Sequence, residues 1–102
     1  MRIDLNEQPE QSVLTIAGEI EIKEAEELKN YFSQLAVRAK NRIIIDVKDV
    51  TFIGSSGIGK LLSLYKNVSP KNIPIEIINL NENLYNLFTS FKLDKLFVLR
   101  KK

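Results

Sequence analysis

The spacing of apolar residues changes repeatedly along this chain, and no other feature restricts its fold as much. In "RIDLNE", Ile3 and Leu5 alternate with polar residues, as in a half-buried strand. From Glu24 onward, apolar residues instead recur every third or fourth position, as on one face of a helix. The two patterns follow each other in the order ββαβαβαβ. This order predicts an α/β fold with helices packed on a mixed β-sheet, because strands separated by a helix are joined by crossovers.

Five segments have strand patterns: residues 2–7, 12–20, 42–47, 75–78 and 95–100. The short polar link between the first two favours an antiparallel pair. The third segment, "RIIIDV", contains an unbroken β-branched run, which is typical of a strand covered on both faces.

Three segments have helical patterns, and each carries one apolar stripe that we expect to form core rather than a ligand pocket. Asn81 precedes the third helix and is its predicted N-cap. The stripes comprise Ala25, Leu28, Phe32, Leu35 and Ala39; Ile58, Leu61, Leu62, Tyr65 and Val68; and Leu84, Leu87, Phe88 and Phe91.

Composition excludes several kinds of chemistry. The 102 residues predict a single domain over 1–102, and a formal net charge of only +2 gives no reason to expect nucleic acid binding. Cysteine and histidine are absent, which excludes a thiol nucleophile, a disulfide and a histidine-based triad. We therefore expect neither an enzyme nor a cofactor. No apolar run approaches the roughly 20 residues that cross a bilayer, so we expect no membrane insertion and a cytoplasmic protein.

The segment "TFIGSSGIGKLL", residues 51–62, holds three of the four glycines and two adjacent serines. Gly54, Gly59 and Lys60 match the start of a phosphate-binding loop, but Leu61 stands where that loop needs a hydroxyl for Mg²⁺. A nucleophilic serine is also disfavoured, because the glycine spacing misses the G-x-S-x-G motif and no histidine base exists. Nucleotide hydrolysis and autonomous catalysis are therefore the weakest interpretations.

Two interpretations of the serines remain open. In the first, Ser56 is the N-cap of the following helix, and Ser55, one residue earlier, points to solvent. A phosphate on Ser55 would then lie near the positive end of the helix and near Lys60. It would add nearly two negative charges, enough to repel a docked partner. In the second, glycine and serine only form a tight strand-to-helix turn.

Three stretches resemble STAS domains of the anti-sigma-factor antagonist type. "IIIDVKDVTFIGSSGIGKLLSLYK" is similar to a family segment in which a strand precedes Asp-Ser-Ser/Thr-Gly-Leu-Gly and a helix. "LTIAGEIEIKEAEELKN" resembles the family's Gly-Glu-Leu-Asp and the helix after it, and "LYNLFTSFKLDKLFVL" its last helix and strand. The resemblance spans nearly the whole chain, and the family's element order is also ββαβαβαβ.

The resemblance implies a role in partner switching. Unphosphorylated members bind an anti-sigma factor that is also a serine protein kinase, and a PP2C-type phosphatase removes the phosphate that this kinase adds. By position, the phosphate acceptor here is Ser55. The implied partner-binding residues are Glu21, Gly54, Ser55, Ser56, Gly57, Ile58, Gly59 and Lys60.

The sequence departs from the family pattern at two carboxylates. Gly54 replaces the Asp before the acceptor serine, and Glu21 replaces the Asp of the earlier motif. These changes leave an alternative to the antagonist role, namely a non-phosphorylated STAS scaffold or a subunit of a transport or sensory complex.

Overall fold

The structure is a computed structural model that describes residues 1–38 and 40–102. Its strands are β1 (Arg2–Glu7), β2 (Gln11–Ile20), β3 (Arg42–Ile53), β4 (Ile75–Leu80) and β5 (Val98–Lys101), and its helices are α1 (Ile22–Arg38), α2 (Ser55–Val68) and α3 (Glu82–Ser90). Short 3₁₀ turns follow α2 and α3. The order ββαβαβαβ and the α/β class are confirmed.

One mixed sheet contains all five strands, in the spatial order β1-β2-β3-β4-β5. As predicted, β1 pairs with β2 antiparallel, and the later pairs are parallel. Every helix therefore connects neighbouring parallel strands and steps across the sheet in the same direction. Because such crossovers are right-handed, all three helices lie on one side of the sheet.

Burial along the strands agrees with one covered face. In β3, Ile43, Ile45 and Val47 are buried, whereas Ile44 is only half-buried. The prediction that this strand is covered on both faces is therefore wrong. The physical reason is local: Ile44 lies between Val13 of β2 and Glu76 of β4 in the sheet register, and these neighbours shield it without a second layer of helices.

The predicted helical stripes mostly form the core. Leu28, Phe32 and Leu35 of α1 are buried in one cluster with Leu61 of α2 and Phe88 of α3. This cluster removes apolar surface from water and so holds the helices on the sheet. Ala39, predicted for the α1 stripe, lies outside the described residues.

Register differences position the turn between β3 and α2. β3 pairs with β2 as far as Ile53, but with β4 only as far as Asp46. The last seven residues of β3 therefore extend beyond β4. Leu84 and Phe88 of α3 are buried in the same core cluster as Ile53. The start of α2 consequently stands at one end of the molecule, beside α3.

Candidate partner-binding site

Gly54 forms the turn that begins α2. Its backbone is extended, with φ −90° and ψ 177°. Its N–H donates to the carbonyl of Ile20 at 2.8 Å, and its own carbonyl accepts from the N–H of Ile58 at 3.1 Å. Gly54 is therefore the N-cap, and the prediction that Ser56 is the N-cap is wrong. The bond to Ile20 fixes the chain at Gly54, so the N-cap lies two residues earlier than the serine pattern indicates.

The two serines occupy the first positions of the helix. Ser55 is exposed and Ser56 is half-buried. Among residues 1–38 and 40–102, no side chain caps α2, so within this part of the chain the backbone N–H groups of its first turn have no side-chain cap. The expectation that Ser55 faces solvent is confirmed. A hydroxyl in this place is accessible to a modifying protein, and a negative charge there is favoured by the helix dipole.

The glycines of this segment meet different surroundings. A Cβ on Gly57 would come within 2.7 Å of Ile53 Cγ1 and 2.8 Å of Ile20 Cγ2, so the packing of α2 on the sheet requires glycine there. A Cβ on Gly54 would make only ordinary contacts, the nearest at 3.6 Å to the Phe52 ring. A Cβ on Gly59 would meet no atom of the described residues within 4 Å. Only Gly57 is therefore glycine for steric reasons.

The side chain of Lys60 points toward α1 and not toward Ser55. Its Nζ lies 3.4 Å from Glu26 Oε1 of α1, and its side chain lines a cleft between α1 and α2. The expectation that a phosphate on Ser55 would lie near Lys60 is wrong, because five residues of helix rotate the two side chains about 140° apart. Lys60 is therefore also absent from the turn itself, where a phosphate-binding loop would need its lysine. Leu61 is buried, as expected.

Glu21 lies beside the serine turn, as the resemblance implied. It lines a shallow depression of about 310 Å³ together with Ile22, Phe52, Ser55 and Ser56. The N–H of Glu21 donates to Glu24 Oε1 at 3.0 Å, an interaction that fixes the start of α1. In the part of the chain that the structure describes, the Glu21 carboxylate itself has neither a hydrogen bond nor an ion pair. It is therefore an exposed negative charge next to Ser55.

An apolar groove of about 590 Å³ opens on the other side of Ser55. It is lined by Phe52, Ile53, Gly54, Ser55, Ile58, Gly59, Leu62, Leu87, Phe91 and Leu93. Phe52 is 49% exposed and Phe91 is 59% exposed. Apolar side chains that face water in one concave patch are typical of a protein interaction site.

The groove corrects part of the sequence analysis. Phe91 was expected to point inward, but α3 ends at Ser90 and Lys92 has a φ of 58°, so the chain turns and leaves Phe91 on the surface. Leu62 and Leu87 are only half-buried and also line the groove rather than core alone. Sequence reasoning missed Phe52, Leu87 and Phe91 as surface residues. Strand alternation could not have indicated Phe52, because it places Phe52 on the same face as the buried Val50. The register shift opposite these residues, between Gly18 and Glu19, turns Phe52 outward.

No group of three or more acidic side chains that could hold a metal ion occurs within residues 1–38 and 40–102. Over the same ranges, no helix is long and apolar enough to cross a membrane. What the fold and the site define is a small α/β protein with an accessible serine, an acidic neighbour and an apolar groove at one end.

The chain belongs to the STAS family. The STAS domain model matches residues 2–102. The chain is 28% identical, over 88 residues, to the anti-sigma-B factor antagonist of Bacillus subtilis (strain 168), a match that covers 86% of this chain and 80% of that protein. The resemblance found in the sequence is thereby confirmed.

Two solved structures have the same fold. An anti-sigma factor antagonist from Mycobacterium paratuberculosis superposes with a TM-score of 0.87 at 21% identity, covering 99% of this chain and 86% of that one. The phosphorylated form of SpoIIAA, a Bacillus cell fate determinant, gives 0.76 at 19% identity, covering 96% and 90%. The roles of the individual site residues remain predictions.

Proposed function

We propose that this protein is an anti-sigma-factor antagonist whose binding is controlled by reversible phosphorylation of Ser55. One observation carries the proposal: Ser55 is exposed at the start of α2 and lines both the depression beside Glu21 and the apolar groove. A relative is an antagonist of an anti-sigma factor, and a protein of the same fold exists in a phosphorylated form. Both relationships support this function for the chain.

The switch follows from electrostatics. Without a phosphate, the Ser55 hydroxyl is small and neutral, and an anti-sigma factor can cover it while burying the apolar residues around it. A phosphate adds nearly two negative charges, and covering them requires their desolvation beside the free carboxylate of Glu21. The dipole of α2 acts on the phosphate in the free protein and in the complex, so we do not expect it to offset this cost. Phosphorylation therefore favours the free state.

Gly54 removes the carboxylate that precedes the acceptor in the family pattern. We propose that Glu21 provides the acidic feature of this surface instead, since it lines the same depression as Ser55. Space for a Cβ exists at Gly54, so its glycine reflects no steric requirement of the fold. We therefore expect the anti-sigma factor that binds this chain to contact Glu21 and to need no side chain at Gly54.

A phosphorylation assay tests the proposal. The full chain is incubated with the anti-sigma factor kinase of its own host and ATP, and the modified residue is mapped by mass spectrometry. We expect one phosphate on Ser55, none on the Ser55→Ala variant and normal modification of Ser56→Ala, and we expect a PP2C-type phosphatase from the host to remove it. Modification at another residue, or none in the wild type, would contradict the switch.

A second function is favoured by Gly54 alone. Without a carboxylate before Ser55, the chain could serve as a constitutive STAS scaffold or as a subunit of a transport or sensory complex. The two functions differ in the expected effect of a charge at residue 55. A scaffold whose partner binds a face of the domain away from Ser55 keeps its affinity when Ser55 is replaced by Asp. An antagonist loses affinity on that substitution.

A further inference from the structure

Gly59 is unexplained by the fold. It is exposed in the second turn of α2, where glycine is a poor helix former, and no atom of the described chain restricts the space above it. Gly57, two residues earlier, shows the contrast, because neighbouring isoleucines exclude a side chain there. The missing side chain at Gly59 is therefore useful only to something that approaches α2 from outside.

The residues around Gly59 indicate what kind of molecule binds there. Gly59 lines the apolar groove, and its neighbours there are Ile58, Leu62 and the rings of Phe52 and Phe91. These two rings are the only exposed aromatic side chains among residues 1–38 and 40–102. Exposed aromatic residues around a shallow apolar surface act as anchors for a protein partner.

The groove also restricts the backbone of its occupant. Apart from the Ser55 hydroxyl, no lining side chain has a polar group. A loop buried there would leave its backbone N–H and C=O groups without partners, at a large free-energy cost. An added strand would need a free sheet edge. The part of β3 beyond β4 offers one, but only Phe52 and Ile53 of it line the groove, and the other lining residues belong to the Gly54 turn, to α2 and to residues 87–93. An α-helix satisfies its own backbone groups, and a glycine allows two helices to approach closely.

We propose that the apolar groove binds one amphipathic α-helix of the anti-sigma factor, which crosses α2 at Gly59 with apolar side chains between Phe52 and Phe91. This inference rests on the proposed function. It also explains how Ser55 controls binding, because Ser55 lines the same groove and a phosphate there lies at the edge of the helix that occupies it.

Site-specific photo-crosslinking tests the occupant. Phe91 is replaced by p-benzoylphenylalanine in the full chain, in its host, and the crosslinked peptide is sequenced by mass spectrometry. A matched variant carries the same group at Val37, which is exposed on α1 and does not line the groove. We expect the Phe91 position to crosslink to a helical segment of an anti-sigma factor, and the Val37 position not to.

Each outcome separates this inference from the proposed function. A crosslink to a non-helical segment, to a lipid or to a second copy of this chain overturns the helix, even if the anti-sigma factor still modifies Ser55. The absence of any crosslink at Phe91 overturns it as well. A crosslink to an amphipathic helix of a protein that is not an anti-sigma factor retains the helix and overturns the proposed function.

Substitution of Gly59 provides a second test. Its ligand is the partner protein that the crosslink identifies, purified without the crosslink. The Gly59→Met side chain points into open space, so the fold should persist while the helix is blocked, and we expect affinity to fall by about 100-fold. Ser63→Met is the control, because Ser63 is exposed on α2 but lines the cleft toward α1. Equal affinities of the two variants would overturn the crossing at Gly59.

Discussion

At the scale of single residues, Gly54 decides how α2 begins. Its backbone has a negative φ, which any residue can adopt, and a Cβ fits there without a close contact. Glycine serves as an N-cap only through its backbone, whereas an aspartate would also accept a hydrogen bond from a first-turn N–H group. The position is thus one where the side chain affects stability and recognition without altering the fold.

Gly54→Asp should stabilise the protein. The new carboxylate accepts from a free N–H of α2 and interacts with the helix dipole, which together are worth about 0.5–1 kcal/mol. For a domain of this size, we expect the melting temperature to rise by about 2–5 °C in calorimetry. Gly54→Ala is the control, since it adds a Cβ without a cap. A lower melting temperature for the aspartate variant would mean that α2 does not begin at Ser55.

Ser55→Asp should separate stability from binding. An acidic side chain in the first turn of α2 is favoured by the helix dipole, so the free energy of unfolding should stay equal or rise by up to about 1 kcal/mol. Affinity for the anti-sigma factor should fall, because the charge lies beside Glu21 and at the edge of the groove.

The measurements for this variant are thermal unfolding and isothermal titration calorimetry on the same preparation, with Ser55→Ala as the neutral control. A variant that loses affinity only because it is less stable would contradict the charge mechanism, and so would an unchanged affinity.

At the scale of elements, the two glycines of α2 have opposite roles. Gly57 lets the helix pack against Ile20 and Ile53, so Gly57→Ala should force those side chains to move and destabilise the protein by about 1–3 kcal/mol. Gly59→Ala meets open space and should instead stabilise the helix by about 1 kcal/mol. Urea denaturation of both variants measures the difference. Equal effects would show that α2 packs on the sheet differently.

Local patterns predicted the elements but not their tertiary contacts. The cap of α3 was predictable, because Asn81 precedes the helical stripe, and its Oδ1 indeed accepts from the N–H of Leu84 at 2.8 Å. The start of α2 was not, because it depends on the hydrogen bond from Gly54 to Ile20, a residue of another strand. Such a contact leaves no mark on the local sequence.

The candidate site was only partly predictable, again because local patterns do not show tertiary contacts. Ser55 and Glu21 followed from the family resemblance, and both lie in one depression, although 34 residues separate them in sequence. The groove was not foreseen. An apolar stripe identifies the residues of a helix face, but the chain turn after α3 decides that Phe91 ends on the surface.

At the scale of the whole molecule, the extended β2–β3 pair separates the site from most of the sheet. The opposite, uncovered side of the sheet carries ion pairs instead, in which Glu76 bridges Arg42 at 2.8 Å and Arg100 at 3.2 Å. The Glu76 side chain is only 12% exposed, whereas the two arginine side chains are 46% and 63% exposed, so these pairs place charged groups on this side of the sheet. The exposed aromatic side chains among the described residues, Phe52 and Phe91, instead line the apolar groove.

Net charge cannot account for the proposed switch. The formal charge of +2 becomes about zero when a phosphate with nearly two negative charges is added, so the protein never acquires a strong overall field. The effect of the phosphate must be local, through desolvation and through repulsion within about 8 Å at physiological salt. Dissociation on phosphorylation should therefore persist at moderately raised ionic strength.

The affinity of the anti-sigma factor for the two forms of this protein tests the central claim most directly. Phosphoserine is incorporated at position 55 during synthesis, and both forms are titrated calorimetrically with the same anti-sigma factor. We predict that the form with Ser55 unmodified binds and that the phosphorylated form binds about 100-fold more weakly, a difference of about 3 kcal/mol. Equal affinities of the two forms would contradict the account.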